Sequence, residues 1–117
     1  MTIKEIGEDI VLHVREGRDW DAIEKHYSPE IVSVEADGNT ATGLEGLKAK
    51  HEWWSGAHEV HSVEAEGPFL NQDQFSAIYT MDLTDKEKGF RFSMKEVAVY
   101  TVADGKITHE AFFYTIG

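Results

Sequence analysis

The hydrophobic pattern of this 117-residue chain changes its period about halfway along. Before residue 58, apart from a segment rich in β-branched residues at 31–36, apolar side chains recur every three or four residues, as they do on one face of a helix. From Val60 onward, apolar and polar residues alternate, which is typical of strands with one buried face. This order predicts an α+β domain in which helices pack on one face of an antiparallel sheet.

Three helices are predicted in the first half of the chain. The first begins at the capping-box pattern Thr2-Ile3-Lys4-Glu5 and ends near Gly17. Asp19 is the predicted cap of a short second helix, which is expected to hold Tyr27 and to end at Ser28-Pro29. A third helix is predicted from residue 43 to about residue 58. Five side chains form its apolar stripe: Leu44, Leu47, His51, Trp54 and His58.

Five segments are predicted to form strands, and they are residues 31–36, 60–65, 75–83, 90–102 and 107–116. Turns are predicted at Asp37-Gly38-Asn39 and Asp104-Gly105, and Gly67-Pro68 is predicted to end the second strand. A strongly curved antiparallel sheet wrapped around a long helix makes a cone with a hollow between the two layers. We therefore predict one domain over residues 1–117, with a central pocket.

Composition limits the partners of this domain. The chain has 11 Lys and Arg against 22 Asp and Glu, a net charge of −11, so it would repel nucleic acids and anionic membranes. It has no cysteine, which excludes disulfides, zinc–thiolate sites and cysteine nucleophiles. No apolar run is long enough for a membrane helix, and the N-terminus lacks the apolar core of a signal peptide. We expect a cytoplasmic protein.

Three segments resemble the NTF2-like superfamily, in its SnoaL-like and ketosteroid-isomerase-like branch. They are KHYSPEIVSVEADG at residues 25–38, TGLEGL at residues 42–47 and VYTVADGKI at residues 99–107. In such proteins a tyrosine, an acidic strand and a glycine precede the start of the third helix, and a D-G-K-I turn joins the last two strands. The resemblance covers nearly the whole chain and implies the same cone. It does not specify a function, because this fold serves isomerases, cyclases, dehydratases and binding proteins.

Only some of the catalytic positions of the isomerases are matched in this sequence. The general-base position falls on Glu35 when Tyr27 and Gly38 are aligned without a gap. The oxyanion tyrosine of the first helix falls near Val11, where the chain has no tyrosine. The partner aspartic acid falls around residues 93–94, and the nearest carboxylate is Glu96.

Three carboxylates are candidate proton-transfer groups. Glu35 would have a raised pKa if it pointed into an apolar hollow, and it would be unremarkable at a wet sheet edge. Glu96 and Glu110 lie on strand faces that carry aromatic residues, and they would share one dry site if those faces point inward. If the opposite faces point inward, both are exposed.

The histidines allow several interpretations. His51 and His58 lie on the stripe of the third helix, where they could be hydrogen-bonded core residues or proton relays. A metal site from His58, His61 and a carboxylate is a weaker alternative, because the spacing does not match a zincin helix. We predict neither a metal nor a cofactor. His13, His26 and His109 are predicted to lie on the surface.

The predicted site combines these groups with an aromatic wall. Its catalytic candidates are Glu35, Glu96, His51 and His58. Its predicted pocket-lining residues are Tyr27, Trp54, His61, Tyr79, Met94, Tyr100, Glu110 and Phe112. Three functions stay open: a cofactor-independent acid–base isomerase, cyclase or dehydratase, a binding protein for a small apolar molecule, and an interaction domain. With any of these functions, the protein is expected to form a homodimer through apolar side chains on the outer sheet face, namely Ile78, Val97, Val99 and Phe113.

Overall fold

The computed structural model describes residues 1–115, which form three helices and six strands. The helices are α1 (Ile3–Arg15), α2 (Asp19–His26) and α3 (Gly43–Ala57). The strands are β1 (Tyr27–Val34), β2 (Thr40–Thr42), β3 (His58–Asn71), β4 (Gln74–Asp85), β5 (Phe90–Ala103) and β6 (Lys106–Phe113). The predicted α+β class is confirmed. The predicted end of the last strand at residue 116 lies outside the described residues.

The six strands form one curved, open sheet in the order β2-β1-β6-β5-β4-β3. Neighbouring strands are antiparallel except β1 and β6, which are parallel. A parallel pair requires a long connection, and the chain from β2 to β5 supplies it. The sheet therefore differs from the prediction in two respects, since it is mixed rather than wholly antiparallel and it includes the short strand β2, which was not predicted.

The starts of the first two helices differ in their capping. Thr2 closes a full capping box on α1, because its hydroxyl accepts from the Glu5 amide at 3.2 Å and its own amide donates to the Glu5 carboxylate at 2.8 Å. The predicted cap at Asp19 is wrong. Asp19 is the first residue of α2, and Arg18 holds the cap position without a side-chain hydrogen bond.

Two strands run past prolines that were predicted to end elements. β1 begins at Tyr27, so this tyrosine belongs to the strand and Pro29 lies where the β1–β6 register shifts. β3 continues through Gly67 and Pro68, with a register shift between Glu66 and Phe69. Proline is tolerated at edge strands and bulges, and β3 is an edge strand.

The core lies between the inner sheet face and the helices. Its fully buried side chains include Ile6, Ile10, Ile31, Phe75, Tyr100 and Ile107. α1 approaches β3 closely at Gly7, where an added Cβ would come within 2.9 Å of the Pro68 side chain. Since α1 packs on β3 and α3 packs on β1, the two helices cover opposite halves of the curved sheet.

The predicted alternation along β4 and β5 is confirmed. Phe75, Ala77 and Tyr79 are buried on the inner face, whereas Val97 on the outer face is 38% exposed.

Among residues 1–115, no helix is long and apolar enough to cross a membrane.

Candidate functional site

A cavity of about 640 Å³ lies between α3 and the inner face of the sheet. α3 contributes Leu47, Lys50, His51, Trp53 and Trp54 to its wall. The sheet contributes Tyr79 and Met81 from β4, Met94, Glu96 and Tyr100 from β5, and Glu110 and Phe112 from β6. The size is within the range of small-molecule sites in proteins, which is roughly 300–1,000 Å³.

The structure brings all the predicted site residues to this cavity except His61. His61 lies where the register of the edge strand β3 shifts, and its exposed ring nitrogen Nε2 is 2.6 Å from the Thr84 hydroxyl. This corrects the prediction that His61 lines the pocket. Within the described part of the chain, no three His, Asp or Glu side chains are grouped closely enough to hold a metal ion.

Glu96 is a carboxyl group of the cavity whose surroundings disfavour its charge. Burial raises the pKa of Glu96 to about 7, and the nearby charge of Glu35 adds to the increase. The Lys50 ammonium opposes it. In residues 1–115, no protein group donates a hydrogen bond to this carboxyl. Glu96 therefore exchanges its proton near neutral pH.

Glu35 lies just beyond β1, in a turn closed by two backbone hydrogen bonds of 2.9 Å. One of its carboxylate oxygens forms an ion pair with Lys50, and the other accepts a hydrogen bond of 3.0 Å from the Tyr114 hydroxyl. Burial and the charge of Glu35 raise the pKa of Tyr114 to about 12. Of the two alternatives for Glu35, neither applies fully, because it lines the cavity but is held there by two polar partners.

Lys50 is a charged cavity residue that the sequence interpretation missed. Its ammonium donates to the Ser33 hydroxyl at 2.8 Å, pairs with Glu35 and lies 5.0 Å from the centre of the Phe112 ring. A signal for it was present. Lys50 lies three residues after Leu47 and four before Trp54, which is the spacing of the stripe on α3.

Glu110 is the most deeply buried carboxylate of the site, with 3% of its surface exposed. The Tyr27 hydroxyl donates to it. Burial raises the pKa of Glu110, while hydrogen bonds from Tyr27 and Ser33 oppose that effect. Its β6 face therefore points inward, and it belongs to the cavity floor.

A pair of tyrosines lies beside these carboxylates. The hydroxyls of Tyr79 and Tyr100 are 2.7 Å apart. Burial raises the pKa of both phenols, so they stay neutral hydrogen-bond donors. Tyr79 is directly opposite Glu96 in the β4–β5 ladder, which places a donor next to the titrating carboxyl.

The two histidines of α3 have aromatic neighbours. The His51 ring lies 5.4 Å from the Trp20 ring, centre to centre. His58 stacks on Trp54 at 4.7 Å, and its Nδ1 is 3.0 Å from the Trp54 carbonyl oxygen. Both rings line the cavity and pack against tryptophan side chains.

A second polar group, which we call the Asp9 cluster, lies away from the cavity, where α1 packs against α2. It consists of Asp9, His13, Lys25 and His26. Asp9 Oδ2 is 2.6 Å from His26 Nε2 and 3.0 Å from Lys25 Nζ, and His13 Nδ1 is 2.7 Å from the Asp9 carbonyl oxygen. The predicted surface location of His13 and His26 is wrong, since they are only 8% and 3% exposed. His109 is exposed as predicted.

The fold and the cavity place this chain in a known family. A model of the SnoaL-like domain matches residues 1–114, and the chain belongs to this family. Among curated proteins, none matches the sequence.

Solved structures agree with this assignment. A candidate SnoaL-like polyketide cyclase from Mesorhizobium loti is 42% identical, with a TM-score of 0.93, and the alignment covers 97% of this chain and 100% of the other. A second candidate cyclase, from Jannaschia, is 15% identical with a TM-score of 0.80, over 97% and 88% of the two chains. A protein with a ketosteroid isomerase-like fold from Catenulispora acidiphila, solved with trimethylamine, is 18% identical with a TM-score of 0.78, over 98% and 88%. The last two similarities support the fold alone.

Proposed function

We propose that this protein binds a small, uncharged, largely apolar molecule in the cavity and moves a proton within it by acid–base catalysis, as an isomerase, cyclase or dehydratase. The observation that carries the proposal is Glu96, a carboxyl group with its pKa at about 7 in the wall of a cavity of about 640 Å³. The similarity to the candidate polyketide cyclase from Mesorhizobium loti supports the same class of chemistry.

The proposed step uses Glu96 in both of its protonation states. Near pH 7 about half of the molecules carry the carboxylate, which takes a proton from a carbon next to a carbonyl. The electron pair of the broken C–H bond moves onto the carbonyl oxygen, and Glu96 then returns the proton at a second carbon. No outside reagent is needed. The neutral hydroxyls of Tyr79 and Tyr100 are the candidate donors to the developing oxyanion.

The charge of the cavity supports an uncharged ligand. Five carboxylates line it: Asp19, Glu35, Asp37, Glu96 and Glu110. Lys50 is the one lysine in the described lining, and Glu35 pairs with it. An anionic ligand would be repelled by the remaining carboxylates. We expect a flat aromatic alcohol to bind at least tenfold more tightly than the carboxylate of the same skeleton, measured by isothermal titration calorimetry.

Hydrogen exchange into a model substrate tests the proposed catalysis. We would follow, by NMR in D₂O, the exchange of the protons next to the carbonyl of a flat unsaturated ketone. Wild type should accelerate the exchange, and Glu96→Gln should reduce the rate by a factor of about 10² or more. Glu64→Gln, at an exposed position on β3, is the matched control and should behave as wild type. Equal rates for wild type and Glu96→Gln would reject the proposal.

A binding protein without turnover is the second candidate function. It is favoured by α1, which presents only the apolar side chains Ile10 and Val14 to the cavity, where a catalytic tyrosine would be expected by resemblance. A thermal-shift screen separates the two functions, because a saturating ligand raises the melting temperature whether or not it reacts. Stabilisation by ketones that undergo no exchange would favour binding alone.

We also propose that two copies of the chain associate through the outer sheet face. Phe113 on this face is 57% exposed and Val97 is 38% exposed, while Ile78 and Val99 are half-buried beside them. Covering such a surface is favourable. Light scattering after size exclusion should give twice the chain mass, and Val97→Lys should halve it. A monomer at tens of micromolar would contradict this.

A further inference from the structure

Lys50 occupies a position that the proposed catalytic step does not yet use. It is half-buried on α3 and lines the cavity. An ammonium group has three N–H donors. One donates to the Ser33 hydroxyl at 2.8 Å, and a second is directed to Glu35. The Phe112 ring, 5.0 Å away, lies under the charge.

These contacts link the carboxylates of the site. Ser33, which accepts from Lys50, also hydrogen-bonds to Glu110, and Glu110 accepts from Tyr27. Glu35, on the other side of Lys50, accepts from Tyr114. Lys50 is therefore the central member of a polar chain that runs from the buried floor to the edge of the sheet. Glu96 lies outside this chain and has no such partner in the described residues.

The charges of this chain act on Glu96 in opposite directions. Lys50 favours the ionised form of Glu96, whereas Glu35 and Glu110 disfavour it. The titratable groups that line the cavity with Glu96 come from each element around it, and they are Asp19, Tyr27, Glu35, Asp37, Lys50, His51, His58, Tyr79, Tyr100, Glu110 and Tyr114. Lys50 is the one lysine of this set, and its positive charge opposes the effect of the carboxylates on the pKa of Glu96.

We propose that Lys50 is a positioning residue that gives two carboxylates of the cavity different roles. It holds Glu35 in an ion pair and leaves Glu96 free to gain and lose the proton. This inference rests on the proposed function, because it takes Glu96 as the proton-transfer group. It assigns no contact between Lys50 and the substrate. Without the Lys50 charge, Glu96 would hold its proton to higher pH and would be a poor base at pH 7.

A titration of Glu96 in paired variants tests this role without any turnover. The side-chain carboxyls would be labelled with ¹³C, Glu96 would be assigned by its absence in Glu96→Gln, and each variant would be titrated by NMR. Lys50→Met should move the Glu96 midpoint upward by about one pH unit, and Glu35→Gln should move it downward by a similar amount. Lys50→Arg keeps the charge and should stay near wild type. Lys48→Met removes an exposed lysine from the same helix and should have no effect.

Opposite shifts are the result that a purely structural role would not produce, because loosening of the site would move both variants in one direction. The double variant Glu35→Gln/Lys50→Met should fall between the two single variants. If Lys50→Met shifts the midpoint no more than Lys48→Met, or if both single variants shift it the same way, the proposal is overturned. Because no substrate is present, failure of the proposed catalysis would leave this result intact, and the converse also holds.

Discussion

The molecule places carboxylates in two contrasting environments. Asp9, between α1 and α2, is surrounded by His13, Lys25 and His26, and the hydrogen bond from His26 is the main cause that lowers its pKa. Glu96, in the cavity, has no hydrogen-bond donor among the described residues, and burial raises its pKa to about 7. Glu96 is more deeply buried than Asp9 and lacks hydrogen-bond donors, so burial and partners together account for the difference.

This contrast separates a carboxylate whose charge stabilises the fold from one whose charge the fold disfavours. A charge with good partners strengthens the packing of the two helices that hold it. A charge without partners weakens the fold, and such groups persist mainly where chemistry or binding uses them. Glu110 lies between these extremes, because it is more deeply buried than Glu96 but accepts hydrogen bonds from Tyr27 and Ser33.

The largest expected effect is a gain of stability in Glu96→Gln at alkaline pH. The folded-state pKa of Glu96, about 7, lies above its ordinary value of 4.5, so ionisation of Glu96 opposes folding. That opposition is absent below pH 4.5, grows between pH 4.5 and 7, and is complete above pH 7. Glu96→Gln should therefore raise the free energy of unfolding by up to about 3 kcal/mol at pH 8 and by little at pH 4.5. Urea denaturation at the two pH values measures it.

The second-largest expected effect is a loss of stability in Asp9→Asn at neutral pH. The folded-state pKa of Asp9 lies below its ordinary value of 3.8, so its ionised form stabilises the fold above that pH, and the contribution is lost as pH falls through the lowered pKa. Asp9→Asn should reduce the free energy of unfolding by about 2 kcal/mol at pH 7. Asp21→Asn, at an exposed position on α2, is the control. Stabilisation by Asp9→Asn at pH 7 would remove the contrast with Glu96.

Tyr27→Phe tests the intermediate case of Glu110. It removes one of the two hydrogen bonds that oppose the effect of burial on this carboxyl, so the pKa of Glu110 should rise further. The loss of the buried bond should cost about 1–2 kcal/mol at pH 7. Urea denaturation gives the cost, and the ¹³C titration gives the direction of the pKa change. A fall in the Glu110 pKa would show that Tyr27 is not its donor.

The smallest effect is expected for Tyr114→Phe. Its hydroxyl donates to Glu35 at 3.0 Å, but Glu35 keeps Lys50 as a partner and about a quarter of its side chain, 24%, is exposed. The free energy of unfolding should fall by about 0.5 kcal/mol. A loss above about 2 kcal/mol would mean that Glu35 depends on Tyr114 rather than on Lys50.

Much of the fold and part of the site followed from periodicity. Alternation along β5 and β6 put Glu96 and Glu110 on the strand faces that carry aromatic residues, which point inward in the structure, and the α3 stripe predicted which helix covers them. The partners of Glu35 were not predictable in this way, because Tyr114 and Lys50 come from distant parts of the chain. The burial of His13 and His26 was missed for the same reason. It depends on how α1 and α2 pack, which local spacing does not specify.

The most direct test of this account is the titration of Glu96 in the unmodified protein, free of ligand. The site-resolved ¹³C signal of its carboxyl should pass through its midpoint at about pH 7, well separated from the exposed glutamates. A midpoint near 4.5, together with those glutamates, would contradict the account, because Glu96 would then be an ordinary solvated carboxylate.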